Sequence, residues 1–158
     1  MRKPLSSPRL PEPGEGKRGE QGHLGYLLRQ AGAALRARME RALSDLEVTP
    51  PQFVALTMVA AYPGLSSADL ARLSFLTAPT VTVIVVNLKR AGALTSRRHP
   101  VHGRIQQLDI TETGKALLAR CKRRIDAVEA RLVAPLSPDE ERVIRRWLAH
   151  VARDGTAD

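Results

Sequence analysis

Between Asn87 and Arg104 the chain carries Lys89, Arg90, Arg97, Arg98 and Arg104 and no acidic residue. Just upstream, Thr77, Pro79, Thr80, Thr82 and Val83 bring hydroxyl and small apolar groups together. Ammonium and guanidinium groups hold phosphate oxygens, while hydroxyls and small apolar groups fit base edges and thymine methyls. A charge run more often marks a solvated face. Here it follows directly on a segment that reads helix, turn, helix, and contact with a nucleic acid explains it better. The expected contact set is Ser66, Thr77, Pro79, Thr80, Thr82, Val83, Lys89, Arg90, Arg97, Arg98 and Arg104. In it Pro79 and Val83 touch thymine methyls, and the threonines bond phosphates or base edges. Arg97 and Arg98 lie near phosphates, and Arg104 enters the minor groove from a hairpin tip.

The elements that must position these groups are legible from caps and periodicity. Ser66 and Asp69, three apart, open a short helix whose Leu70 and Leu73 should bury. Thr77 caps a second helix with Pro79 in its first turn. Val81, Ile84, Val85 and Leu88 fall at helical spacing and form its inward face. The β-branched run from Val81 to Val86 would by propensity be a strand. The cap, the proline, the continuation through Asn87-Leu88-Lys89-Arg90 and the stop at Ala91-Gly92 argue for a helix instead. Leu94 to Arg98 and Ile105 to Ile110 read as two strands joined by His99-Pro100-Val101-His102-Gly103-Arg104, with Gly103 supplying turn freedom. Helix, tight turn, helix and basic hairpin are the parts of a winged helix-turn-helix, whose second helix fits a major groove.

Around this core lie further helices. From His23 to Leu46, Leu24, Leu27, Leu28, Ala31, Leu35, Met39, Leu43 and Leu46 make one stripe. Arg29, Arg36, Arg38 and Arg41 form a solvated basic face. Thr49-Pro50-Pro51-Gln52 caps a helix with Phe53, Leu56, Thr57 and Ala60 inward, stopped by Tyr62-Pro63-Gly64. Thr111-Glu112-Thr113-Gly114 opens a long helix with Ala116, Leu117, Cys121, Ile125, Val128 and Leu132 inward, ended by Pro135. Ser137 to Glu140 is a capping box for a last helix carrying Val143, Ile144, Trp147, Leu148 and Val151. The fold class is therefore mostly α (α+β). Residues 1–21 read as a disordered tail, 22–48 as dimerisation helix 1, 49–111 as the winged helix-turn-helix DNA-binding domain, and 112–158 as C-terminal dimerisation helices. The outer helices carry more apolar surface than one small winged lobe can cover. A two-fold dimer in turn requires an inverted-repeat operator with half-sites about 10 base pairs apart or a multiple of that.

Composition agrees with this reading. The chain has 158 residues and a formal net charge of +9, which suits a polyanionic partner. Aromatic residues make up only 3%, against a module that stacks single-stranded bases on aromatic platforms. Cys121 is the only cysteine, so an intramolecular disulfide and a four-cysteine zinc site are both excluded. No apolar run approaches the roughly 20 residues that span a bilayer, and no signal-peptide core follows the N-terminal charges. The expected setting is the cytoplasm, with no membrane partner.

The order Leu70-Ala71, Thr80-Val81-Thr82, Leu88-Lys89-Arg90-Ala91-Gly92, Arg97, Arg104 and Leu108-Asp109-Ile110-Thr111-Glu112-Thr113-Gly114 resembles the multiple-antibiotic-resistance regulator (MarR) family. The resemblance runs from about His23 to the end of the last helix. It implies a homodimeric winged helix whose first and last two helices build the dimer interface, and a ligand-responsive transcriptional regulator, most often a repressor. Two positions depart from the family pattern. The wing acid and the first of two wing arginines are replaced by His102 and Gly103 before Arg104, and Val83 stands where an arginine often follows Thr-Val-Thr. The resemblance also implies a small anionic or phenolic effector. Matching positions are Tyr26 and Arg29 on the first helix and Met58 and Tyr62 on the second. An arginine, two phenols and a thioether suit an aromatic carboxylate.

Other chemistries find less support. His99 and His102 form a His-x-x-His, but a metal needs more ligands, and turn residues near phosphate fit better; no metal or cofactor is expected. Cys121, on the inner stripe of its helix, reads as a buried thiol and not as a redox sensor. No Gly-rich phosphate loop, Gly-x-Ser-x-Gly or His-Glu-x-x-His is present, so catalysis is not expected. The alternative is a winged-helix scaffold or partner-binding protein without sequence-specific DNA readout.

Overall fold

The structure, a computed structural model, describes residues 9–98 and 105–154, the side chain of Asp154 excepted. The chain divides into two units, residues 1–38 and 39–158, each with its own internal contacts.

In the first unit, α1 (Leu24–Leu43, its last turn belonging to the second unit) follows a turn-rich segment with a 3₁₀ turn at Gly16–Arg18. Of the residues read as a tail, 9–21 are described. Arg18 ties them to the helix: its carbonyl accepts from Gln30 Nε2 at 2.9 Å, and its guanidinium donates to Pro11 O at 2.8 Å. Leu24 and Leu28 on the expected stripe are exposed.

The second unit holds α2 (Pro50–Ala61), β1 (Leu65–Ser66), α3 (Ser67–Ser74), α4 (Ala78–Arg90), β2 (Leu94–Arg98), β3 (Gln106–Ile110), α5 (Glu112–Val133) and α6 (Pro138–Asp154). Each expected cap is present. Thr49 Oγ1 accepts from Gln52 N while Gln52 Oε1 accepts from Thr49 N, and Thr77 and Thr111 cap α4 and α5. Ser137 and Glu140 close the box that opens α6. α4 is a helix throughout its β-branched run: burying Val81, Ile84, Val85 and Leu88 outweighs the strand preference. The sheet is antiparallel in the order β1-β3-β2, with Ser96 opposite Leu108 and Leu65 on the other side of Leu108.

Ala55, Leu56, Val59, Leu70, Val81, Ile84, Leu88, Leu94, Leu108 and Leu118 make the main core. Full burial of each large aliphatic side chain contributes roughly 1.5–3 kcal/mol. A second cluster joins Leu43 and Val48 to Cys121 and Ile125. Burial pushes the Cys121 thiol above its ordinary value, which favours the thiol over the thiolate at neutral pH.

Several expectations are corrected. A third strand exists: residues 65–66 pair with β3, and two residues are too few to show a period. β3 starts at Gln106, and Ile105 before it is exposed. Leu73 is exposed, because α3 turns Ser67, Leu70, Ala71 and Ser74 inward and Leu73 lies to one side of that stripe. On α2, Leu56 is buried and Phe53 and Ala60 pack half-buried against the core as expected, but Ala55 and Val59 are buried as well, because α3, α4, α5 and β3 cover the helix from several sides. On α5, Leu118 is buried and Ala116 exposed.

The last correction has a local cause. Gly114 lies so close to Ala93 that a Cβ on it would sit 2.0 Å from the Ala93 carbonyl oxygen. Thr111 N donates to that oxygen at 3.1 Å, Thr111 Oγ1 donates to Gly92 O at 2.6 Å, and Gly114 N donates to Thr111 Oγ1 at 3.0 Å. This corner fixes the rotation of α5, so the residue one turn after Gly114, Leu118, faces the core. Gly114→Ala must push α5 away from Ala93 and from Ile110 of β3. Its expected cost is about 2–4 kcal/mol of unfolding free energy, read as a lowered urea midpoint; an unchanged midpoint would show that the corner yields freely.

Candidate nucleic-acid interface

The helix-turn-helix consists of α3 and α4. Ser66 N-caps α3: its Oγ accepts from Asp69 N at 3.1 Å and donates to Asp69 Oδ2 at 2.6 Å. Asp69 also pairs with Arg72, and its carboxylate is held below its ordinary range, mainly by the Ser66 hydroxyl and N–H. Ser66 is thus spent on the cap, with its side chain only partly exposed.

The turn between the helices contains a feature that the sequence reading passed over. Phe75 has φ 54° and ψ 35°, in the left-handed region, and is 78% exposed. A bulky residue there carries strain that glycine would not, and burial does not compensate it.

On α4 the core residues occupy one face, and Ala78, Pro79, Thr80, Thr82, Val83, Val86, Asn87, Lys89 and Arg90 are exposed on the rest. Several expected contact groups are already engaged. Thr77 Oγ1 and Thr80 Oγ1 are 2.8 Å apart, and Thr82 Oγ1 donates to Ala78 O at 3.0 Å. Lys89 Nζ donates to Ser96 Oγ at 2.7 Å, tying the last turn of α4 to the first wing strand. In the wing, Arg97 Nε donates to Asp109 Oδ2 at 2.7 Å across the β2–β3 pair. Gly64, at φ +84°, passes beneath: a Cβ there would come within 3.3 Å of Gln107 and 3.6 Å of Arg97. Arg98 is exposed at the end of β2. His99, His102, Gly103 and Arg104 lie outside the described residues, and so do the expected minor-groove contact and the His-x-x-His. Among the described residues no group of three metal-ligating side chains occurs.

The structure therefore gathers Thr77, Pro79, Thr80, Thr82, Val83, Lys89 and Arg90 on one helix and its cap, with Ser66 at the start of the neighbouring helix and Arg97 and Arg98 on the adjoining strand. The four residues matched to an effector fall in different units. Tyr26 and Arg29 are exposed on α1, in residues 1–38; the Tyr26 hydroxyl lies 3.5 Å from Gln30 Oε1. In residues 39–158, Met58 packs half-buried against the main core, and Tyr62, just past α2, is exposed.

Residues 46–105 match the sequence model of the MarR family. The HTH-type transcriptional repressor Rv2887 of Mycobacterium tuberculosis is 37% identical over 131 residues, 83% of this chain and 94% of that protein. Crystal structures of the same Mycobacterium tuberculosis protein align as well. Its complex with salicylic acid has a TM-score of 0.67 at 36% identity, covering 84% of this chain and 98% of that one. Its complex with DNA has the same score and identity over 82% and 98%. The PcaV transcriptional regulator of Streptomyces coelicolor, bound to its natural ligand, aligns with a TM-score of 0.75 at 30% identity, covering 83% of this chain and 92% of that one. The repressor CouR on a 23-mer DNA duplex aligns at 0.78 and 28% identity, over 87% and 96%.

The cap geometry makes one pH dependence explicit. Because the folded carboxyl of Asp69 titrates below its ordinary value, its contribution to stability is fully present above that ordinary value and is lost as pH falls through the lowered folded one. Asp69→Asn should therefore trail the parent in urea midpoint near pH 6, with the gap closing towards pH 3. A gap constant over that range would mean that the carboxylate charge is irrelevant to the cap.

Proposed function

The chain belongs to the MarR family, and on that premise we propose that it is a cytoplasmic, homodimeric, DNA-binding transcriptional repressor released by a small aromatic carboxylate or phenol. The observation that carries this reading is the α3–α4 pair beside a two-stranded wing, with Lys89 and Arg90 exposed in the last turn of α4 and Arg97 and Arg98 exposed on the adjoining strand. No acid occurs from Ala78 to Arg98 to repel phosphate. The similarity to repressors whose structures hold DNA supports it.

Dimerisation is proposed through the apolar faces of α1 and α6. On α6, Val143, Ile144, Trp147, Leu148 and Val151 fall on one face and are all exposed in the single chain. A stripe of this kind is what a symmetric partner would cover. Residues 22–48 and 112–158 would then serve dimerisation and 49–111 DNA binding, with an inverted-repeat operator as the consequence.

Gel shift on the chain's own promoter at physiological salt decides between this reading and a scaffold. A specific shift supports sequence-specific DNA binding; no shift, or equal shifts on random duplex, would favour a scaffold or partner-binding role. Within the specific complex, Arg90→Ala should weaken binding and reduce the log–log salt slope by about 0.9, the value for one lost phosphate contact. An unchanged slope with unchanged affinity would remove Arg90 from the interface.

The effector reading takes its class from the relative whose structure holds salicylic acid. Tyr26, Arg29, Met58 and Tyr62 are its candidates. A ligand can release DNA only if it binds the misfitting conformation more tightly than the DNA-bound one. Salicylate titrated into the protein–operator complex should release the DNA. Arg29→Ala, which deletes a charge-assisted partner worth about 1.5–3 kcal/mol, should raise the concentration required by about tenfold or more. Tyr62→Ala tests the second unit separately. Release that is indifferent to both changes would place the effector elsewhere.

A further inference from the structure

We propose that α4 reads its operator mainly through thymine methyl groups, so that each half-site presents thymines where Pro79, Val83 and Val86 meet the major groove. The inference rests on the DNA-binding reading and names the base class that this site takes.

The inward residues Val81, Ile84, Val85 and Leu88 fix the rotation of the helix. The line opposite them, at steps of four, three and four, is Pro79, Val83, Val86 and Arg90. Val83 is 60% and Val86 48% exposed. The outermost line of the helix is therefore apolar for three of its four positions, with a cation only at its C-terminal end. The hydroxyls beside it are engaged, Thr82 with Ala78 O and Thr80 with Thr77, and Lys89 is bonded to Ser96. Within the first turns of α4, no charged group is available to donate to a base edge.

This distribution decides which base edge fits. Guanine presents N7 and O6 acceptors to the major groove, and an apolar surface pressed on them removes their water and gives no donor in return. Thymine places a C5 methyl on that edge, which gains by the same contact. A protein partner for the stripe is disfavoured by its surroundings. The cations Lys89 and Arg90 stand at its C-terminal end, and Arg97 and Arg98 are exposed on the strand that Lys89 joins, so its occupant combines apolar groups with negative charge. Duplex DNA with thymine methyls on the groove floor has that arrangement.

The test uses the full chain and the duplex protected in its own promoter. Deoxyuridine replaces thymidine one position at a time, which deletes the methyl and leaves the base pairing intact. Affinity should fall about fourfold at each methyl met, the equivalent of ~0.8 kcal/mol for a buried methyl-sized group. Val83→Ala and Val86→Ala should each bind more weakly and lose sensitivity to uridine at one position, as a contacting pair does in a double-mutant cycle. Specific binding that is indifferent to uridine throughout both half-sites overturns this inference and leaves the DNA-binding reading standing. Absence of specific binding to any promoter duplex overturns both.

Discussion

The close approach of Gly114 to the Ala93 carbonyl is the constraint on which the winged lobe depends. Four elements meet there: the end of α4, the start of β2, the end of β3 and the first turn of α5. Ala93 N closes the last turn of α4 on Leu88 O at 2.9 Å, while the Ala93 carbonyl accepts from Thr111. One residue therefore ends α4, starts the wing and seats the helix that follows. A side chain at 114 would occupy the space through which those bonds run. The orientation of α4 against the wing, on which any groove geometry rests, follows from this backbone packing more than from surface ion pairs, which contribute little when exposed.

The wing is bound to α4 a second time through Lys89 and Ser96. That exposed bond occupies one of the ammonium's three donors and adds a link between helix and strand to the backbone packing. The Arg97–Asp109 pair likewise spans β2 and β3. Two of the cations that look available in the sequence thus have structural partners, while Arg90 and Arg98 are exposed at the ends of their elements. A linear charge run cannot distinguish these cases, because the acceptors lie 7 and 12 residues away.

What the sequence made legible has a common physical basis: local chemistry. Thr49, Ser66, Thr77, Thr111 and Ser137 each bond a backbone N–H within three residues, and such caps can be read without knowing the fold. The caps also gave the correct reading of α4 against its strand propensity. The misreadings arise where tertiary contact decides. β1 is two residues whose only signal is a partner some forty positions away. Leu118 replaces Ala116 in the core because of the Gly114 corner. Phe75 adopts a left-handed backbone without the glycine that would announce it. Of the candidate site, the grouping of α4, its cap and the adjoining wing strand was legible; the engagement of Thr82, Lys89 and Arg97 was not.

The composition of α4 has one more consequence, for the chain before it folds. Thr80 to Val86 is seven residues of Thr, Val and Ile without charge, glycine or proline. In a nascent or unfolded chain such a window favours extended pairing with its own copies, the pattern of a steric zipper. In the folded lobe its β-branched side chains are held in a helix by the core, and Pro79 before it and Lys89-Arg90 after it act as gatekeepers against self-association. The helix that shapes the exposed face of the lobe is thus also an aggregation hazard. Loosening of the lobe would expose a segment able to draw the chain into insoluble assemblies, so the solubility of the chain depends on how quickly and how firmly that helix is packed.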